Sequence, residues 1–252
     1  MTTTRPTTRR LLAAVALCAA LLAGTLASAP AGAQSQENTT YVRSLYADLL
    51  DRVNTTGDDA GVAYWANRLD RRSEPRVFTV QQLMKAGSEY YGQIVDINYA
   101  LFLDRTADPG GRDFYVQGWR NRRFTLERVV TTLGGSNEYY NRQGATTASF
   151  VDAIYFDVLG RRADDGGRQF GIDYVSSRGG GVSGRGQYVA LLVRSREKRG
   201  QVVDDAFGTF LGRAPTAQER QQFVDALTPT GLRREDFDAQ LVASTEYYSR
   251  NS

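Results

Sequence analysis

The sequence predicts an all-α protein: four degenerate helical repeats of about 50 residues, packed as two pairs behind a cleaved signal peptide. Three observations carry that expectation. The tetrapeptides Leu49-Leu50-Asp51-Arg52, Phe102-Leu103-Asp104-Arg105, Val158-Leu159-Gly160-Arg161 and Phe210-Leu211-Gly212-Arg213 recur, with their arginines 53, 56 and 52 residues apart. Before each arginine, apolar or aromatic residues fall two, three, six and ten positions back, which traces one face of a helix at the 3.6-residue period. After each arginine comes a residue type that caps helices, and every copy closes on a related tag containing glutamate. The four copies are called segments one to four.

The leader precedes them. Arg5, Arg9 and Arg10 form a positive start, Leu11 to Leu26 is mostly apolar, and Ala31-Gly32-Ala33 is a small-x-small cleavage site ahead of Gln34. Residues 1–33 are therefore read as a signal peptide. The apolar run is shorter than the roughly 20 residues of a membrane span, so no stable membrane anchor is expected.

Composition removes most catalytic chemistry. The 252 residues contain no histidine and one cysteine, Cys18, which lies in the leader. Histidine bases, Cys/His nucleophiles, zinc sites and disulfide frameworks are excluded together. Without the leader, 219 residues hold 28 basic and 28 acidic side chains, so the chain's formal charge of +3 leaves with it. No nucleic-acid partner is expected from a neutral chain.

Each segment opens with a helix ending near its arginine, carrying Val42 and Tyr46, Val95 and Tyr99, Val151 and Tyr155, or Val203 and Phe207 on its apolar face. The arginine is expected to cap that helix's last carbonyls and favour its negative dipole end. A second helix starts at the N-caps Asp58, Asp108, Asp164 and Thr216, with Pro109 at a first helical position and Thr216-Ala217-Gln218-Glu219 as a capping box. Six or seven residues in come Tyr64-Trp65, Phe114-Tyr115, Phe170 and Phe223, expected to face inward. A third helix carries Leu83-Met84, Leu133, Leu192 and Leu241. The tags beginning at Gly87, Ser136, Ser195 and Ser244 are read as the start of a helix that runs on into the next segment.

Connector lengths suggest the grouping. From tag glutamate to the next valine there are 6 residues at Glu89–Val95 and at Glu197–Val203, but 13 at Glu138–Val151. The long connector contains Gly144 and polar neighbours, so it is read as the joint. The expected organisation is segments one and two in 34–140, a linker in 141–148, and segments three and four in 149–252.

The pattern aromatic-x-x-hydrophobic-Leu-Gly/Asp-Arg, then Asp-x-x-Gly, an aromatic pair and Ser-x-Glu-Tyr resembles the bacterial domain-of-unknown-function 4214 family. Segment two carries it most fully, in Tyr99, Leu103-Asp104-Arg105, Asp108-Pro109-Gly110-Gly111, Phe114-Tyr115, Trp119 and Ser136-Asn137-Glu138-Tyr139. Segment three departs at its tag and at Gly171, and segment four replaces the Asp-x-x-Gly turn with the capping box. The resemblance extends over the chain beyond the leader, and more distantly to the helical linker domain of phycobilisomes. It implies an all-helical, non-catalytic module acting in assembly or adhesion outside the cytoplasm, and it brings no catalytic residues.

Candidate sites are few. The Asp58-Asp59 and Asp164-Asp165 turns lack the alternating ligands and distal glutamate of a calcium loop, so no metal or cofactor is assigned. The glycine-rich stretch 178–186 lacks the Lys-Ser/Thr ending of a phosphate loop and reads as a flexible loop. Trp65, Trp119 and the second tag tyrosines Tyr91, Tyr140 and Tyr248 are the candidate binding residues, since amphipathic aromatics serve sugar stacking as well as burial; matched helical offsets favour core packing for most of them, and positions about 100° apart leave the second tyrosine of each pair partly exposed. No catalytic residue is assigned. The expected function is that of a secreted or cell-surface binding or assembly module, its partner an envelope glycan, an extracellular protein or another copy of itself. The competing expectation is an envelope-polysaccharide-acting enzyme, or its accessory subunit, using carboxylates.

Overall fold

The computed structural model describes residues 31–53, 57–71, 74–228 and 230–252, with side chains from Ser35 onward. Among these residues every regular element is helical. The leader expectation for 1–33 lies outside the described residues except for 31–33, which form the first turn of α1. No described helix is long and apolar enough to cross a membrane.

Segment one forms α1 (Ala31–Leu50), α2 (Asp59–Asp70) and α3 (Arg76–Ala86). Then come α4 (Glu89–Leu103), α5 (Pro109–Arg120), α6 (Leu126–Gly134) and α7 (Asn137–Arg142). Segment three gives α8 (Thr147–Leu159), α9 (Asp165–Ser176) and α10 (Val182–Val193). Helix α11 (Arg196–Ala206) ends in a π-helical turn, Phe207–Leu211, and α12 (Ala217–Ala226), α13 (Arg234–Val242) and α14 (Thr245–Asn251) complete the chain.

Local chemistry sets the ends. Asp108 accepts from the Gly111 amide at 2.8 Å and Asp164 from the Gly167 amide at 2.6 Å. Thr216 and Glu219 form the reciprocal capping box. Ser136, Ser195 and Ser244 each accept from the amide three residues on, at 3.1 Å. Asp58 departs from expectation: it stands at the N-cap position of α2 but makes no capping bond, because its carboxylate is taken by Arg52 at 2.7 Å.

The residue before each repeated arginine is left-handed: Asp51 at φ 55°, Asp104 at 52°, Gly160 at 70° and Gly212 at 62°. That conformation ends a helix and is open to glycine, and less readily to aspartate, which explains the Gly/Asp alternation in the motif.

The chain divides into two compact units, and not where the connectors suggested. One contains the described residues up to Tyr90 with Val203–Ser252, and the other contains Tyr91–Val202. Residues 141–148 are therefore no boundary; they lie inside the second unit, as a reversal through Gly144 (φ 89°) and Ala145 (φ 55°). Both boundaries fall inside helices, α4 and α11, which run from a tag into the next segment as expected. Connector length is a local property and does not decide which segments pack together.

In the first unit α3 packs on α13 and α14 on α1. Its core centres on Tyr41, whose hydroxyl donates to the Val242 carbonyl at 2.8 Å and whose ring meets those of Tyr247 and Tyr248. In the second unit α6 packs on α10, and Tyr139 lies between Phe102 and Phe150.

Candidate recognition surface

Two sets of ion pairs hold the same geometry in every segment. Arg105 pairs with the tag carboxylate Glu138 at 2.6 Å, Arg161 with Glu197 at 2.5 Å and Arg213 with Glu246 at 2.6 Å, while Arg52 pairs with Glu89. Each guanidinium also lies over the aromatic ring six residues back: Tyr46 at 5.6 Å, and Tyr99, Tyr155 and Phe207 each at 5.1 Å. The expected capping of the preceding carbonyls is not what these arginines do. Arg105, Arg161 and Arg213 instead donate forward, to the carbonyl one residue on. The second set spans 16 residues: Asp96–Arg112, Asp152–Arg168 and Asp204–Arg220. In segment one the charges are exchanged, with Arg43 donating to Asp59 at the same spacing. Half-exposed pairs stabilise little singly, so what they provide is a fixed relation between the first helix, the second helix and the tag.

On that frame the sequence-chosen binding residues lie inside. Trp119 is fully buried against Tyr91, which is itself 1% exposed, and Tyr248 and Trp65 are 7% and 8% exposed. Tyr140 alone is half-buried, and the Arg185 guanidinium covers its ring at 4.2 Å. Ligand stacking needs a free ring face; four of these five rings are buried, as the matched helical offsets favour, and Arg185 covers one face of the fifth.

The exposed rings stand one position earlier on the second helix. Tyr64, Phe114 and Phe170, each six residues after its cap position, are 56%, 59% and 57% exposed. The inward position is the seventh, held by Trp65, Tyr115, Gly171 and Phe223. A signal for this register was present: segment four carries the polar Gln222 at the sixth position. Gly171 lacks an inward ring because Tyr188 from α10 fills the space, its hydroxyl standing where a Cβ would be.

A second feature lies within the second unit. An open groove of about 750 Å³ is lined by Gln143, Asp152, Phe156, Asp157, Arg162 and Arg168. Phe156 is half-exposed. Asp157 accepts from the Tyr139 hydroxyl at 2.7 Å; its carboxyl is raised above the usual range by burial, with the phenol pulling it back down. Asp152 is held by Arg168. Both carboxylates are thus engaged, and the groove offers an aromatic edge, an amide and a guanidinium rather than a poised acid and base. Among the described residues no group of three or more His, Cys, Asp or Glu is arranged to hold a metal ion.

No family model matches the chain, no curated protein matches it, and no solved structure matches it.

Proposed function

We propose that this is an exported, non-catalytic protein of four helical repeats that binds an envelope glycan through repeated aromatic positions. One observation carries the reading. Tyr64, Phe114 and Phe170 present exposed rings from the same position of an equally clamped helix. Exposed aromatic faces stack on the apolar faces of sugar rings, and several weak contacts on one chain add through effective concentration. The recurrence of both ion-pair sets supports counting four copies. The leader pattern in 1–33 supports export. The motif resemblance points the same way, toward adhesion or assembly outside the cytoplasm.

The test is co-sedimentation of residues 34–252 with cell-wall and purified polysaccharide fractions. The expected result is pelleting that weakens stepwise through Tyr64→Ala, Phe114→Ala and Phe170→Ala, singly and combined, while circular dichroism stays unchanged. Pelleting indifferent to all three changes, or none with any fraction, overturns the glycan reading. Breakdown of a fraction during incubation identifies an enzyme instead.

A further inference from the structure

We propose that a second copy of this chain is a partner, joined by exchange of end segments: segment four of one copy docks on segment one of another.

The first unit is made where the two ends of the chain meet. Tyr247 donates to Asp48 at 2.6 Å across 199 residues, and Tyr248 donates to Asn38 at 2.9 Å across 210. Arg76 donates to the carbonyls of Ala243 and Ser244, and its guanidinium lies 4.0 Å over the Tyr248 ring. Tyr90 donates to the buried Asp238 at 2.8 Å, and Asp238 also holds Arg234.

The second unit makes the same joint from neighbouring sequence. Tyr139 donates to Asp157 across only 18 residues. Arg185 takes the place of Arg76, donating to the Gly135 carbonyl and covering Tyr140. Asp48 and Asp157 each stand four residues before their segment's arginine. Tyr139 and Tyr247 each stand one residue after their tag glutamate.

The two joints therefore share their chemistry and differ in tethering. In the second unit the turn 143–146 ties the halves together directly. In the first, the halves are linked only through residues 91–202, by way of α4 and α11. Nothing in the Tyr247–Asp48 or Arg76–Ala243 contacts depends on both partners belonging to one chain. Exchange replaces each contact with an identical one, so its cost is mainly that of bringing two molecules together. Closure within one chain prevails when dilute because the ends are already held near each other, and exchange prevails at high local concentration.

The experiment uses residues 34–252, which contain no cysteine. Wild-type chains bearing two different tags are unfolded, mixed at high concentration and refolded together, then sized by light scattering. A species of twice the monomer mass carrying both tags is expected. Placement is tested with Asp48→Cys on one chain and Tyr247→Cys on the other, joined by a short bis-maleimide, with a chain carrying both cysteines as the intramolecular control. A two-chain cross-linked product is expected from the mixture. Wild-type chains that refold only as monomers at every concentration overturn the proposal. So do mixed-tag dimers whose 48 and 247 positions fail to cross-link between chains while the double-cysteine control reacts.

Discussion

The Tyr139 hydroxyl, on a fully buried ring, donates a 2.7 Å hydrogen bond to Asp157, a carboxylate facing the groove of the second unit. The bond ties the tag of segment two to the first helix of segment three. Burial raises the Asp157 pKa and the phenol lowers it. A carboxyl whose folded pKa lies above its unfolded one contributes stability in acid, and that share is lost as pH rises through the folded value. Tyr139→Phe removes the lowering influence, so the Asp157 titration midpoint moves further up, read by carboxyl NMR. Stability falls by about 1–3 kcal/mol at neutral pH, where the carboxylate loses its donor, and by less in acid. An unmoved or lowered midpoint contradicts this account.

Glu219 gives the opposite pH dependence. Arg213 holds it down to about 2, helped by the Thr216 cap. Its folded pKa lies below the ordinary carboxylate value of 4.5, so its stabilising share is present above that value and fades as pH falls toward 2. Glu138 and Glu197 are lowered in the same direction by Arg105 and Arg161. Glu219→Gln is expected to flatten the acid limb of a denaturation-versus-pH curve between about pH 5 and 2. It also lowers stability at neutral pH by removing the charge that Arg213 pairs with, while the glutamine oxygen can still accept from the Thr216 amide. An acid limb as steep as wild type counts against the pairing.

Buried and exposed aromatics of one segment separate cleanly by stability. Trp119→Ala removes a fully buried indole and is expected to cost about 3–5 kcal/mol in urea unfolding. Phe114→Ala, on an exposed ring touching Tyr115 and Phe124, is expected to cost under about 1 kcal/mol. Equal losses would mean that Phe114 belongs to the core and is no candidate for recognition.

Gly135 tests the close approach of α6 and α10. A Cβ there would stand 2.7 Å from the Gly186 Cα and 2.8 Å from its nitrogen, both backbone atoms. Gly135→Ala must push the helices apart, with an expected loss of about 1–3 kcal/mol. Gly110→Ala, whose Cβ would meet only the Asp108 side chain at 3.6 Å, is the control and should unfold near wild type.

Much of the fold was legible because it rests on short-range chemistry. Asp108, Asp164 and Thr216 cap where the sequence places caps, since a cap needs only an amide three residues on. Val42, Val95, Val151 and Val203 are buried as their shared offset implies. The 16-residue pairs are written in the sequence too, Arg43 and Asp59 exchanging the charges of Asp96 and Arg112 at the same spacing. Of the five candidate residues only Trp65 adjoins one of the exposed second-helix rings, Tyr64. A helical step of about 100° separates Trp65 from Tyr64 and Tyr115 from Phe114, and aromatic character is blind to that difference.

By itself the sequence determined the helices, the caps at Asp108, Asp164 and Thr216, and the face that the first helix of each segment buries. All of these are decided within a few residues by hydrogen bonding, backbone sterics and hydrophobic periodicity. The tertiary structure alone decided that segment one packs with four and segment two with three. Tyr247 and Asp48 are 199 residues apart, so no local pattern relates them. The short connectors become the continuous helices α4 and α11, and the length of a connector carries no information on which segments share a core.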